Sequence, residues 1–130
     1  MTPFIRSHRC PHRVLFVGVV RLALFAALVF GTAHCGGPLG SAQRAFTKGH
    51  YAEAKRRFVR LERRSNDWPL ARRARYALYR GLTHLALGDR AAAAPWLDEA
   101  VRLKERSRYA FSEEERERLR AARETVAVLR

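Results

Sequence analysis

A chain of 130 residues is long enough for one domain and hardly for two. Its 26 Lys and Arg against 12 Asp and Glu leave a formal charge of +14, which draws anionic partners: phosphate groups, acidic proteins or an anionic membrane face. The two cysteines, Cys10 and Cys35, both fall in the first 35 residues, which excludes a structural disulfide framework, and neither has the partners at fixed spacing that zinc needs.

The N-terminal segment reads as an address. Met1 to Arg13 is irregular and positive, Val14–Val20 is apolar, Arg21 interrupts, and Leu22–Ala33 is apolar again. A positive region, an apolar run and a small-residue exit describe a secretory signal peptide. Arg21 marks the natural end of its positive region, which puts the effective start near Val19 or Val20. The run closes in Gly31-Thr32-Ala33-His34-Cys35-Gly36-Gly37, which resembles the signal of a bacterial lipoprotein. That resemblance implies that Cys35 is acylated and becomes the mature N-terminus, although His34 and Thr32 stand where the family usually has a small residue and a leucine. A plain cleaved signal and an uncleaved anchor are the alternatives. Val14–Ala33 has about the 20 residues a bilayer requires, and a mid-span Arg costs roughly 2.5–3.5 kcal/mol. Each alternative puts the remainder of the chain outside the cytoplasm. His8, Cys10 and His12 lie in this address segment, so no metal site is expected of them.

Residues 36–40 form a flexible linker, and 41–130 a helical domain. Leu39, Ala42, Ala45 and Phe46 fall at helical spacing, and Gly49 ends that helix where a left-handed residue is usual. Tyr51, Ala54, Phe58 and Leu61 mark the second helix, whose other faces carry Lys55, Arg56, Arg57, Arg60, Arg63 and Arg64. Asn66 or Asp67 is expected to cap a third helix over about Trp68–Leu87, with Pro69 in its first turn and Leu70, Ala74, Ala77, Leu78, Gly81, Leu82 and Leu85 buried. Gly81 marks a point where a partner helix needs room. Gly88-Asp89 opens the fourth helix, with Ala93, Trp96, Leu97, Ala100 and Val101 as its stripe and a bend expected at Pro95. After a break at Ser107–Ala110, Ser112-Glu113-Glu114-Glu115 is a capping box. It opens a last helix over 112–129, with Leu119, Ala122, Val126 and Leu129 on one side and pairs such as Glu114–Arg118 on the other.

Gly49, Tyr51, Ala54, Phe58 and Leu61 resemble the second half of a tetratricopeptide repeat, and Gly81, Gly88, Ala93, Leu97 and Ala100 resemble most of another. The two turn glycines stand about five residues further apart than the family's period of roughly 34. The resemblance implies an all-α fold: a short right-handed α-solenoid of about five helices, beyond the N-terminal signal or anchor helix. Its repeats are placed at about 39–64 and 69–106, with a capping helix at 112–129. Two repeats are fewer than the three or so that usually stand alone, so the last helix completes the core or the chain self-associates. The family receives peptides on the inner face of its first helices. By register those positions are Gln43, Phe46 and Thr47, then Arg75, Leu78, Tyr79 and Leu82. Leu78 and Leu82 stand where lysine or asparagine would clamp a C-terminal carboxylate, so that activity is not carried over.

The leading functional expectation is a non-catalytic adaptor: a membrane-anchored lipoprotein of a bacterial envelope, facing the periplasm and binding an acidic or extended segment of another protein. Arg72, Arg75, Tyr76, Tyr79 and Arg80 are four apart in pairs, which suits cation–π contacts on a recognition face. The bland reading is that the tyrosines are core and the arginines wet. The alternative function is nucleic-acid binding along Arg56, Arg57, Arg60, Arg63, Arg64, Arg72 and Arg73. No catalytic residue, cofactor or metal is expected. His50 and His84 have no neighbouring nucleophile in the pattern, Asp98 and Glu99 point apart around a helix, and no Gly-rich phosphate loop occurs.

Overall fold

The computed structural model describes residues 36–128, so Cys35, the segment before it and Leu129 lie outside the described residues. Those residues form five helices and no strand: α1 (Pro38–Thr47), α2 (Tyr51–Ser65), α3 (Leu70–Ala86), α4 (Arg90–Glu105) and α5 (Glu113–Ala127). The expected all-α class is therefore observed.

Two of the turns are built alike. At the end of α1, Gly49 adopts φ 78°, its amide donates to the Phe46 carbonyl, and the His50 amide donates to the Ala45 carbonyl. At the end of α3, Gly88 also has φ 78°, its amide donates to Leu85, and that of Asp89 donates to His84. Both are crossed-bond helix stops that need a left-handed residue, and glycine takes that conformation without the Cβ penalty. Asp89 then caps α4 by accepting from the Ala92 amide at 3.0 Å. Ser112 and Glu115 exchange side-chain and backbone bonds in the expected capping box.

The α2–α3 junction departs from expectation. Neither Asn66 nor Asp67 caps α3; Pro69 occupies the N-cap with extended ψ, without a side-chain bond, and the helix starts at Leu70. Asn66 serves instead as the helical C-cap of α2, and because α3 starts only at Leu70, Asp67 stands two residues before the N-cap, out of register with the first free amides. The α4 helix is continuous through Pro95, whose missing N–H leaves the Ala91 carbonyl without its helical donor. The α4–α5 connection carries an unforeseen plug, with Ala110 and Phe111 both buried.

Each helix packs on the next in sequence, and α1 also touches α3, as α3 does α5. Thus α3 is in contact with every other helix, and its pairing with α4 is the most extensive. Small residues permit this. Ala42, Ala54, Ala74, Ala93 and Ala100 are buried, and a Cβ placed on Gly81 would lie 2.8 Å from Leu97 Cδ2 and 3.3 Å from the Leu97 backbone nitrogen. Around them Phe58, Leu61, Leu78, Leu97, Leu103 and Leu119 fill the core. Tyr76 sits among three aromatic rings, edge-on to Phe58, Trp68 and Trp96 with centroids 5.7–5.9 Å away.

Candidate functional site

The α1, α3 and α5 helices border an open groove of about 470 Å³. Its α1 wall is Phe46 and Thr47 with Tyr51 beside them, its floor Leu82 and Leu85, and its α5 wall Arg118, Ala121, Ala122 and Thr125. Phe46 is fixed by packing edge-on to Tyr79 (centroids 5.6 Å apart) and tilted against Tyr51 (5.5 Å). Burial raises the pKa of the Tyr79 hydroxyl, and the Glu115 carboxylate adds to the effect, so it remains a neutral phenol at physiological pH. The charges at this end are paired: Arg118 with Glu114 at 2.5 Å, and Arg75 with Glu115 at 3.5 Å. The trough thus combines an apolar floor with the Thr47 and Thr125 hydroxyls and ion pairs at its α5 side.

Of the residues expected to meet a partner, Phe46, Thr47 and Leu82 lie together in this groove. Leu78 does not: it is fully buried, because its side of α3 faces neighbouring helices, and it belongs to the core. Tyr79 is 9% exposed and acts as backing for Phe46. Gln43 is half-buried on α1 and Arg72 half-buried on α3, and neither lines the groove. The expected repeat-core positions Ala54, Phe58, Leu61, Gly81, Ala93, Leu97 and Ala100 are buried, whereas Tyr51 is half-buried and Gly49 and Gly88 are exposed at their turns. The α5 wall is not among the positions expected to meet a partner: Ala122 stands in the expected apolar stripe as core, and Arg118, Ala121 and Thr125 flank that stripe at helical intervals.

The expected arginine–tyrosine ladder forms in part: the Arg80 guanidinium lies 5.7 Å over the Tyr76 ring as expected, and the other two contacts are replaced. Arg72 stacks on the Trp68 ring at 4.2 Å instead of Tyr76, and Arg75 bonds Glu115 instead of stacking on Tyr79. Tyr76 is 2% exposed and Arg80 8%, so both are interior. The Arg80 guanidinium lies 3.8 Å over Trp96, donates to the Tyr76 hydroxyl at 2.5 Å and pairs with Glu62 at 3.0 Å. That hydroxyl in turn donates to the Phe58 carbonyl at 3.2 Å. This assembly joins α2, α3 and α4, and Glu62, Tyr76 and Trp96 also line a recess of about 390 Å³ between those helices. His84 is buried near Asp89, its Nδ1 without a hydrogen-bond partner, and burial depresses its pKa with Lys55 acting in the same sense.

Among the described residues no group of three or more His, Cys, Asp or Glu is placed to hold a metal ion, and no helix is long and apolar enough to cross a membrane. Compared with known proteins, the chain matches no family model, no curated sequence and no solved structure.

Proposed function

We propose that the protein is a non-catalytic adaptor, a short tetratricopeptide-like solenoid held at a bacterial envelope membrane by its N-terminal segment and facing the periplasm. On this reading the α1–α3–α5 groove receives an extended segment of another envelope protein. The observation that supports it most is the alternation of helices: α1, α3 and α5 touch side by side and jointly line a trough with an apolar floor. An extended peptide would lay apolar side chains on Leu82, Leu85 and Phe46, while Thr47 and Thr125 offer hydroxyls to its backbone. An acidic residue in that peptide would compete with Glu114 for Arg118 at the α5 wall. Right-handed winding and acylation of Cys35 belong to the same proposal.

The test is site-specific photo-crosslinking in membranes of the native host. Crosslinkers at Thr47 and Thr125 should capture one and the same partner, and a crosslinker at Arg106, outside the groove, should not. Leu82→Asp should abolish capture while leaving the helical circular dichroism intact. Equal capture at all sites, or capture indifferent to Leu82→Asp, would refute the groove as the binding site.

A further inference from the structure

We infer that the outer face of α2 is a docking surface for anionic lipid headgroups, turned to the same bilayer that the N-terminal segment engages. The inference rests on the membrane attachment proposed above and concerns a different face from the groove.

The basic surplus is not spread evenly. On α5 each arginine is neutralised: Arg116 by Glu113, Arg118 by Glu114, Arg120 by Glu117 and Arg123 by Asp98. On α2 both acids are already engaged, Glu53 with Arg57 and Glu62 with Arg80. Arg56, Arg60, Arg63 and Arg64 are exposed and have no acidic partner within 4.0 Å among the described residues. Arg56, Arg60 and Arg63 recur every three or four residues, so they share one face and span about 10 Å of helix. Val59, 49% exposed, sits among them. Cations around an exposed aliphatic side chain suit an interface with phosphate outside and hydrocarbon beneath.

The position of this stripe supplies its occupant. Arg57 donates to the Ser41 carbonyl at 3.2 Å and also to the Ser41 hydroxyl, tying α2 to the first turn of α1. Pro38, Ser41, Arg56 and Arg60 line one recess of about 480 Å³. The stripe therefore adjoins the point where the chain arrives from the apolar run ending at Ala33. The few residues from Ala33 to Pro38 reach at most about 18 Å when extended. A membrane engaged by that run lies within reach of the arginines. The exposed residues of α2 include no aromatic on which a base could stack, which disfavours single-stranded nucleic acid; duplex, which needs no such platform, is an outcome of the test.

The experiment uses the full chain reconstituted into phosphatidylcholine vesicles, with or without about 30% phosphatidylglycerol. A fluorescent amino acid is incorporated in place of Val59, or in place of Tyr109 as a control, so that Cys35 and its acylation are left intact. Lipids carrying a headgroup quencher report proximity. Phosphatidylglycerol should raise quenching at position 59 roughly threefold and leave position 109 unchanged, and about 0.5 M NaCl should reverse the rise. Arg56→Gln/Arg60→Gln/Arg63→Gln should lower the ratio of docked to undocked protein roughly a hundredfold. Quenching at position 59 that ignores lipid charge, or survives the triple substitution, overturns the inference. So does duplex DNA occupying the stripe with no response to phosphatidylglycerol, which would reassign the face to nucleic acid. Flotation with neutral vesicles separates the two proposals: loss of flotation defeats membrane attachment, whereas flotation with charge-blind quenching defeats only the headgroup surface.

Discussion

Gly81→Ala sets two opposed effects against each other at one buried position. In an open helix the change would stabilise by about 1 kcal/mol through propensity. Here the new Cβ would sit 2.8 Å from Leu97 Cδ2, 2.9 Å from Cγ and 3.3 Å from the backbone nitrogen. The nearest atom is a flexible tip, but the branch carbon and the backbone behind it must also retreat, and such overpacking costs about 1–3 kcal/mol. The variant should thus be destabilised by about 0–2 kcal/mol. The decisive arm is a double-mutant cycle with Leu97→Ala, which alone costs about 2–5 kcal/mol. In the double variant the added methyl projects into vacated space and retains its helical advantage. The pair should then be about 1 kcal/mol more stable than Leu97→Ala, a favourable coupling of about 1–3 kcal/mol. Urea denaturation followed by circular dichroism, compared at constant m-value, measures all four corners. If Gly81→Ala alone stabilises by the full propensity gain and the coupling is near zero, the close approach of α3 to α4 is wrong.

Gly49→Ala and Gly88→Ala should each destabilise by about 1–2 kcal/mol, read from the urea midpoint, because both glycines hold φ 78° and a Cβ there meets no atom within 4 Å. The cost is then backbone strain alone, and a large difference between the two would contradict the equivalence of the turns. His84 gives a pH dependence. Its folded-state pKa lies below the ordinary 6.5, so the unfolded chain binds more protons as acid is added. Its contribution is complete above about 6.5 and declines as the pH falls below that toward the depressed value. Comparing urea midpoints at neutral and mildly acidic pH, wild type should lose stability and His84→Gln should lose less; equal losses would show that burial of this imidazole is immaterial.

What could be read from the chain was what depends on neighbours in sequence. Gly49, Gly88, Asp89 and Ser112–Glu115 act within a turn of backbone, and each stops or starts a helix as read. The small residues Ala54, Ala93 and Gly81 were legible for a related reason, since only close helix approach rewards them. The α3 helix defeated the same approach. A single apolar stripe assumes one packed face, but a helix with four neighbours also buries Tyr76, Arg80, Thr83 and His84. Arg80 passed for a surface residue because nothing local signals that Glu62, 18 positions earlier, will neutralise it. The groove was half legible. Phe46, Thr47 and Leu82 follow from the register of the first helices, whereas Arg118, Ala121 and Thr125 depend on where α5 returns.

No helix of the α1–α2 hairpin packs against α4 or α5; the two ends of the domain are joined through the spine of α3. Phe46 and Thr125 stand on opposite lips of the groove, and each lip belongs to a different end. Among the described residues the two lips are thus connected through the seating of each end on that spine. An occupant gripping both lips would bridge the two ends of the domain, a tie that the helix packing among the described residues does not itself provide.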